Sequence, residues 1–274
     1  MLTRKEIDYM LKHYPPYPGR DYAKMTLEKL QKNIELFERC YRGKEHEILF
    51  SDGVPLKFEI EDRYIAHMAG LDSKKLRKTD LDIPGGTYQL VKKIISDHNE
   101  TIRINEDAIS NNETLLNYYK IKVRSDIFQK FSNIYELNFG CIRYDKDSVE
   151  NGNTKSLKSS NFLFMESDEL NAQYYMMGIA TDEEKNVNYI ETLFPDTYPE
   201  SMFNNQTVVI PTHMTVSNDE DYYRYFEAND RSKLELLKKY REQLREYKVN
   251  YDVMADYEAT LSKGASEKAK QKIL

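Results

Sequence analysis

The spacing of apolar residues changes period several times along the chain, and each change marks an element. Leu27, Leu30, Ile34 and Phe37 recur at threes and fours. That spacing predicts a helix, capped by Asp21 or Thr26 and closed at Gly43. A shorter helical pattern at Ile7, Met10 and Leu11 precedes it and breaks at "YPPYPG", where prolines and glycine stop a helix. From Glu47 the period becomes two. "EILF" and "VPLKFEI" flank "SDG", which predicts a hairpin with Ile48, Phe50, Leu56, Phe58 and Ile60 on one face.

Residues 72–133 read as helical pieces, "TYQLVKKII", "NETLLNYYKIK" and "DIFQKFSNIYEL", with polar stretches between them. Short aromatic or β-branched runs follow: "NFGCIRY", "SNFLFME", "AQYYMMGIAT", "VNYIETLF" and "TVVIPTHMTVS". Bounded by Asn, Asp, Gly and Ser, they predict strands. From Asp219 the pattern is helical again, with Leu234, Leu237, Tyr240, Leu244 and Tyr247 as a narrow seam under a charged outer face. The expected organisation is an N-terminal segment over 1–20, an α+β domain over 21–218 and a helical extension over 219–274.

Charge divides the same chain differently. The net charge of 274 residues is −6, yet residues 160–230 hold fourteen acids against two bases, whereas 1–43 and 231–274 are net basic. Either the basic ends pack beside the acidic middle, or they attract nucleic acid. Twenty-two tyrosines and no tryptophan suit interfaces and grooves without naming a ligand. No window is apolar enough to span a bilayer and the N-terminus lacks an apolar leader, so no membrane role is expected. Cys40 and Cys141, two isolated thiols, fit a reducing cytoplasm and supply no zinc cluster.

The chain has no GxGxxG, P-loop, HExxH or GxSxG motif, so no cofactor and no metal are expected. What remains is polar residues inside apolar runs. His67 in "YIAHMAGL" and His213 in "IPTHMTVS" are each either a hydrogen-bonded packing residue or a general acid or base. Pro195 and Pro199 frame Asp196, Thr197 and Tyr198, as a structural turn or as a rigid holder of side chains. Asn205 and Gln206 carry amides that suit a phosphate, a base edge or each other. Lys74, Lys75 and Arg77 form a cationic run just after "HMAGLD", either a solvated face or a phosphate-holding one.

Taken together, the hairpin ending in an HxxGL-like segment, "YYMMGI", "LFPDTY" and "NNQ" resemble one family across residues 24–217. It is the phage-associated Barnase–EndoU–colicin–RelE-like nucleases, the group with a His-Leu-x-Gly-Leu element. His67 and Gly70 match that element, Tyr174 and Tyr175 the aromatic strand, Pro195 and Thr197 the Pro-x-Thr, and Gln206 the Asn-Gln. Met68 and Ala69 stand where an aliphatic pair is commoner, and the tail after 219 is additional. The resemblance implies an α+β domain with a curved antiparallel sheet packed on the N-terminal and middle helices. It also implies metal-independent RNA cleavage of toxin or phage-conflict type. His67 would act as base or acid, Thr197, Gln206 and Tyr175 would position the phosphate, and Lys74, Lys75, Arg77 and Tyr174 would bind substrate. The partner would be RNA.

A second reading stands beside it. The acidic segment and the many tyrosines fit a non-catalytic phage-type interaction or inhibitor protein with a protein partner.

Overall fold

The computed structural model describes residues 21–70, 88–89, 91–92, 123–148, 160–168, 173–184, 187–195, 203–218, 223–245 and 247–271. The protein is α+β, with two antiparallel sheets and a helical C-terminal extension. It divides into two units: Met1–Gly43 with Ile60–Ser132 and Thr192–Thr197, and Lys44–Glu59 with Asn133–Glu191 and Tyr198–Leu274.

The first unit is built on helix α1 (Asp21–Cys40). Its Leu30, Ile34, Phe37 and Cys40 are buried, as the three-four spacing demands. A helical stretch at 123–130 buries Val123, Ile127 and Phe128 in the same unit. The Tyr41 ring lies 5.5 Å from that of Phe128. Two fully buried polar groups satisfy one another, Asn33 Nδ2 donating to Ser125 Oγ at 2.8 Å. Gly43 adopts φ +62°, the left-handed conformation that ends the helix at little cost for glycine. A short helix α2 (Ile65–Met68) closes on Gly70, at φ +82°.

The second unit holds both sheets, apart from the end of one strand that falls in Thr192–Thr197. Strands β1 (Lys44–Phe50) and β2 (Pro55–Glu59) form the expected hairpin, with Ile48 opposite Leu56. Its turn is set by Gly53 at φ +76° and by Asp52 Oδ1, which accepts from Val54 N at 3.0 Å. Strands β3 (Gly140–Arg143), β4 (Ser160–Asp168), β5 (Gln173–Asp182), β6 (Val187–Pro195) and β7 (Thr207–Val209) make a five-stranded sheet in the order β6-β5-β4-β3-β7. Strands β8 (Pro211–Asn218) and β9 (Tyr223–Glu227) join the hairpin in a four-stranded sheet, β2-β1-β8-β9.

Two differences from the sequence-based expectation stand out. There are two sheets where one curved sheet was expected, because "TVVIPTHMTVS" is two strands. The chain changes sheet at Ile210, whose carbonyl accepts from Ser51 N at 2.9 Å, and Pro211 begins the new strand. Second, "YRYFE", placed in the helical tail by its charged surroundings, is strand β9. It pairs with β8 from His213–Glu227 to Ser217–Tyr223.

The sheets meet through aromatic rings. Phe164 of β4 packs against Phe50 (6.2 Å), Phe58 (5.7 Å) and Phe139 (4.9 Å). Arg143 of β3 ties the sheets at their rim, donating to both Asp52 carboxylate oxygens at 2.8 and 2.9 Å and to Val54 O at 2.8 Å. Its guanidinium sits 4.8 Å from each of the Phe50 and Phe162 rings. The C-terminal helices α3 (Asp230–Gln243) and α4 (Asp252–Gln271) complete this unit. Leu236, Leu237, Tyr240 and Leu244 are buried, and Tyr240 Oη donates to Met165 O at 2.6 Å. A Cβ on Gly140 would lie 2.9 Å from the Tyr240 ring, so glycine is what lets α3 come this close.

Candidate functional site

The residues singled out from sequence fall in different places. His67 lies in α2, in the first unit; its side chain, like that of Tyr174 on β5, lies outside the described residues. Thr197, Lys74, Lys75 and Arg77 also lie outside them. Tyr175 and Gln206 are both in the second unit and both buried, at 6% and 1% exposure. The structure does not bring them together. Tyr175 is on β5 and Gln206 leads into β7, three strand positions away, or about 14 Å at ~4.8 Å per strand.

Gln206 has a clear local task. Its Oε1 accepts from Asp145 N at 2.7 Å and its Nε2 donates to Asp145 O at 3.0 Å, so the amide pairs with both backbone groups of one residue as a strand neighbour does. Its backbone carbonyl accepts from Asn250 N at 2.8 Å. Asn205 takes the left-handed φ of +60°, which turns its N–H onto Lys248 O at 2.7 Å. Asn204 Oδ1 accepts from Lys248 N at 2.9 Å. "NNQ" thus knots the α3–α4 connection and the segment after β3 to the start of β7.

His46 and His213 are the described histidines with described side chains, and they differ in kind. His46 points inward from β1 and is fully buried, its ring stacked 4.9 Å from that of Phe58. His213 lies on the outer face of the same sheet and is part-exposed. Thr212 Oγ1 donates its proton to Leu49 O at 3.0 Å, so it presents a lone pair to His213 Nδ1 at 2.8 Å. His213 Nε2 lies 3.3 Å from Glu227 Oε1, the residue directly opposite on β9. Both ring nitrogens therefore face acceptors.

Glu227 is shared with Lys233 Nζ at 3.4 Å, a lysine only 3% exposed at the start of α3. The Lys233 hydrogen bond and charge, then the nearby His213, hold the Glu227 carboxyl below the usual carboxylate range, against the opposing effect of partial burial. Tyr225 stands two residues earlier on the same face, its ring 5.7 Å from that of His213. Partial desolvation first, then the Glu227 charge, raises its phenol. On α4, burial pushes the Tyr257 phenol up to about 12, with the Asp230 and Glu227 carboxylates adding to it.

The register extends this cluster into a face. Opposite Tyr225 lies Thr215, opposite Thr215 lies Glu47, and Glu45 pairs with Ser217 and Glu59. Lys57 of β2 bridges Glu45 at 3.4 Å and Glu47 at 3.2 Å. Across this face run carboxylates from β1, β2 and β9, a floor of small hydroxyl residues on β8, and an aromatic ring that is 63% exposed. Such an arrangement can receive cationic or hydrogen-bonding groups; it does not favour a polyanion. Among the described residues no group of three or more His, Cys, Asp or Glu is placed to hold a metal ion, and no helix is long and apolar enough to cross a membrane.

Sequence reasoning had marked His213 but not Glu227 or Tyr225. Their signal was "YRYFE", a short aromatic run hidden between acidic ones. Comparison with protein-family models, with curated proteins and with solved structures finds no match to this chain.

Proposed function

We propose that the protein acts as a non-catalytic interaction protein, through an acidic surface that carries exposed tyrosine. The observation that supports this most is the outer face of the β2-β1-β8-β9 sheet, which Glu45, Glu47 and Glu227 share with a Tyr225 ring left open to solvent. The inward location of Gln206 and Tyr175 supports it too: a buried amide occupied by Asp145 is a scaffold group rather than a phosphate donor. The test is affinity capture with the wild-type chain and with a Glu45→Lys/Glu47→Lys variant. Charge reversal is expected to remove the specific interaction. If every interaction survives it, this reading fails.

A second reading has one specific observation in its favour. His213 is an imidazole fixed by a hydroxyl and a carboxylate and open to solvent, which suits proton transfer. On that reading the protein is a metal-independent RNA endonuclease. A histidine, His67 or His213, takes the proton from a ribose 2′-hydroxyl; with His67 as the base, Lys74, Lys75 and Arg77 of the same unit neutralise the phosphate. Cleavage of total tRNA in EDTA that is lost in His67→Ala or His213→Ala would favour it.

A further inference from the structure

We infer that two copies of this chain pair along the outer edge of β9, strand against antiparallel strand about a twofold axis at Tyr225. The β2-β1-β8-β9 sheet of one copy then runs on into that of the other. This goes beyond the interaction reading above and does not depend on it.

The direction of each backbone group on β9 comes from its register with β8. Ala228 N donates to Thr212 O at 3.4 Å, one residue beyond the His213–Glu227 pair. That bond fixes the alternation of the antiparallel ladder. Arg224 and Phe226 turn their amides and carbonyls toward β8, whereas Tyr223, Tyr225 and Glu227 turn theirs off the end of the sheet. Among the described residues no backbone group bonds to those outward amides and carbonyls.

Other strand edges are occupied. On β2 the outward carbonyl of Lys57 accepts from Asn188 Nδ2 at 2.6 Å. Along β7, Val208 N donates to Asn250 O at 3.3 Å and Asn250 N donates to Gln206 O at 2.8 Å. Edges that stay open are commonly guarded by proline, lysine or a bulge, which keep further strands away. Strand β9 has none of the three: its five residues, "YRYFE", hold an unbroken register with β8. The strand is also braced from within, since the Phe226 ring stacks 4.8 Å from that of Tyr135.

The residues of β9 suit a second copy of themselves. With Tyr225 on the axis, the outward amides of Tyr223, Tyr225 and Glu227 meet the outward carbonyls of Glu227, Tyr225 and Tyr223 of the second copy, and all five residues are paired. Arg224 then stands opposite Phe226 of the second copy, a cation beside a ring, twice by symmetry. The two Tyr225 side chains, each 63% exposed in the single chain, come side by side at the axis. The two Glu227 carboxylates fall at opposite ends of the paired strands, about 14 Å apart for four residues of rise. Sliding the copies by two residues leaves fewer of them paired, and in one direction it sets the two Arg224 side chains against each other.

The experiment is sedimentation equilibrium on the full chain from low-micromolar to near-millimolar concentration, with hydrogen exchange resolved to single amides in the same samples. The wild-type chain should pass from monomer to dimer. Where about nine-tenths of the chains are paired, the Tyr223, Tyr225 and Glu227 amides should exchange about tenfold more slowly than in the monomer, because only the unpaired chains leave them open. The Arg224 and Phe226 amides, bonded to β8, should be slow throughout. Tyr225→Pro puts a ring carbon where the axial bonds form and removes no bond to β8, so it should be folded and monomeric. Tyr225→Lys sets two ammonium groups side by side at the axis and should weaken pairing about tenfold. Val54→Lys, at the other large apolar side chain left exposed, should dimerise like wild type. Circular dichroism checks the fold of each variant, and Tyr225→Lys carries the test if Tyr225→Pro does not fold. A chain that stays monomeric throughout overturns the inference. So does a dimer that the Tyr225 variants leave intact, or one that forms while the three outward amides still exchange as in the monomer.

Discussion

Replacing Gln206 with alanine separates a scaffold amide from a catalytic one. The substitution removes a hydrogen bond of 2.7 Å from the Asp145 N–H and one of 3.0 Å to the Asp145 carbonyl. Each such bond contributes about 1 kcal/mol net. The residue is 1% exposed, so the one methylene lost with the amide leaves a small cavity. Each buried methylene contributes roughly 0.8 kcal/mol. Together these predict a loss of about 3 kcal/mol. For a chain of this size 1 kcal/mol moves Tm by about 2–4 °C, so the variant should melt roughly 6–12 °C lower. Gln206→Glu should be at least as damaging, since it turns a carboxylate oxygen toward the Asp145 carbonyl. Thermal unfolding followed by circular dichroism, with urea unfolding as a second measure, reads this directly. A Gln206→Ala protein that melts within ~2 °C of wild type would refute the clamp, because loss of two paired buried groups cannot be that small.

Other consequences are open to measurement. Arg143→Met should destabilise by about 2–4 kcal/mol, somewhat under the range for a fully buried pair, because the Arg143 and Asp52 side chains are 18% and 14% exposed; Arg143→Met/Asp52→Asn should recover part of that, and strictly additive losses in urea unfolding would contradict the pairing. Gly140→Ala should cost roughly 1–3 kcal/mol by overpacking, since the new methyl meets the Tyr240 ring at 2.9 Å, and an unchanged urea midpoint would show that α3 yields freely. Glu227 has a folded-state value below the ordinary carboxylate one. Its stabilisation is therefore present above ordinary carboxylate titration and lost as pH falls through the folded value. Lys233→Met should flatten that part of the acid limb of Tm against pH, and an identical acid limb would argue against the pair. Burial pushes the Cys141 thiol up to about 12, so iodoacetamide at pH 8 should leave it unmodified until the protein is unfolded, as read by mass spectrometry.

The hairpin was legible in the sequence because its signal is local. Alternation and "SDG" suffice to set Ile48 against Leu56. The helix that buries Leu30 and Phe37 was legible for the same reason. The sheet change at Ile210 was not, because a run such as "TVVIPTHMTVS" reads identically whether its halves pair with one sheet or two. What separates them is Ser51, far away in sequence, holding the corner. Strand β9 was hidden by acidic neighbours that resemble helix surface. Missing it also concealed the site, since His213 meets Glu227 only through the β8–β9 register. The amide of Gln206 looked available because sequence cannot show that the Asp145 peptide occupies it.

On the interaction reading the protein binds a partner and leaves RNA intact. The most direct measurement is incubation of the purified chain with total tRNA in EDTA, beside His67→Ala and His213→Ala, with products resolved on a denaturing gel. Intact tRNA is expected in every lane. Fragments produced by the wild-type chain and absent with either histidine variant would contradict it.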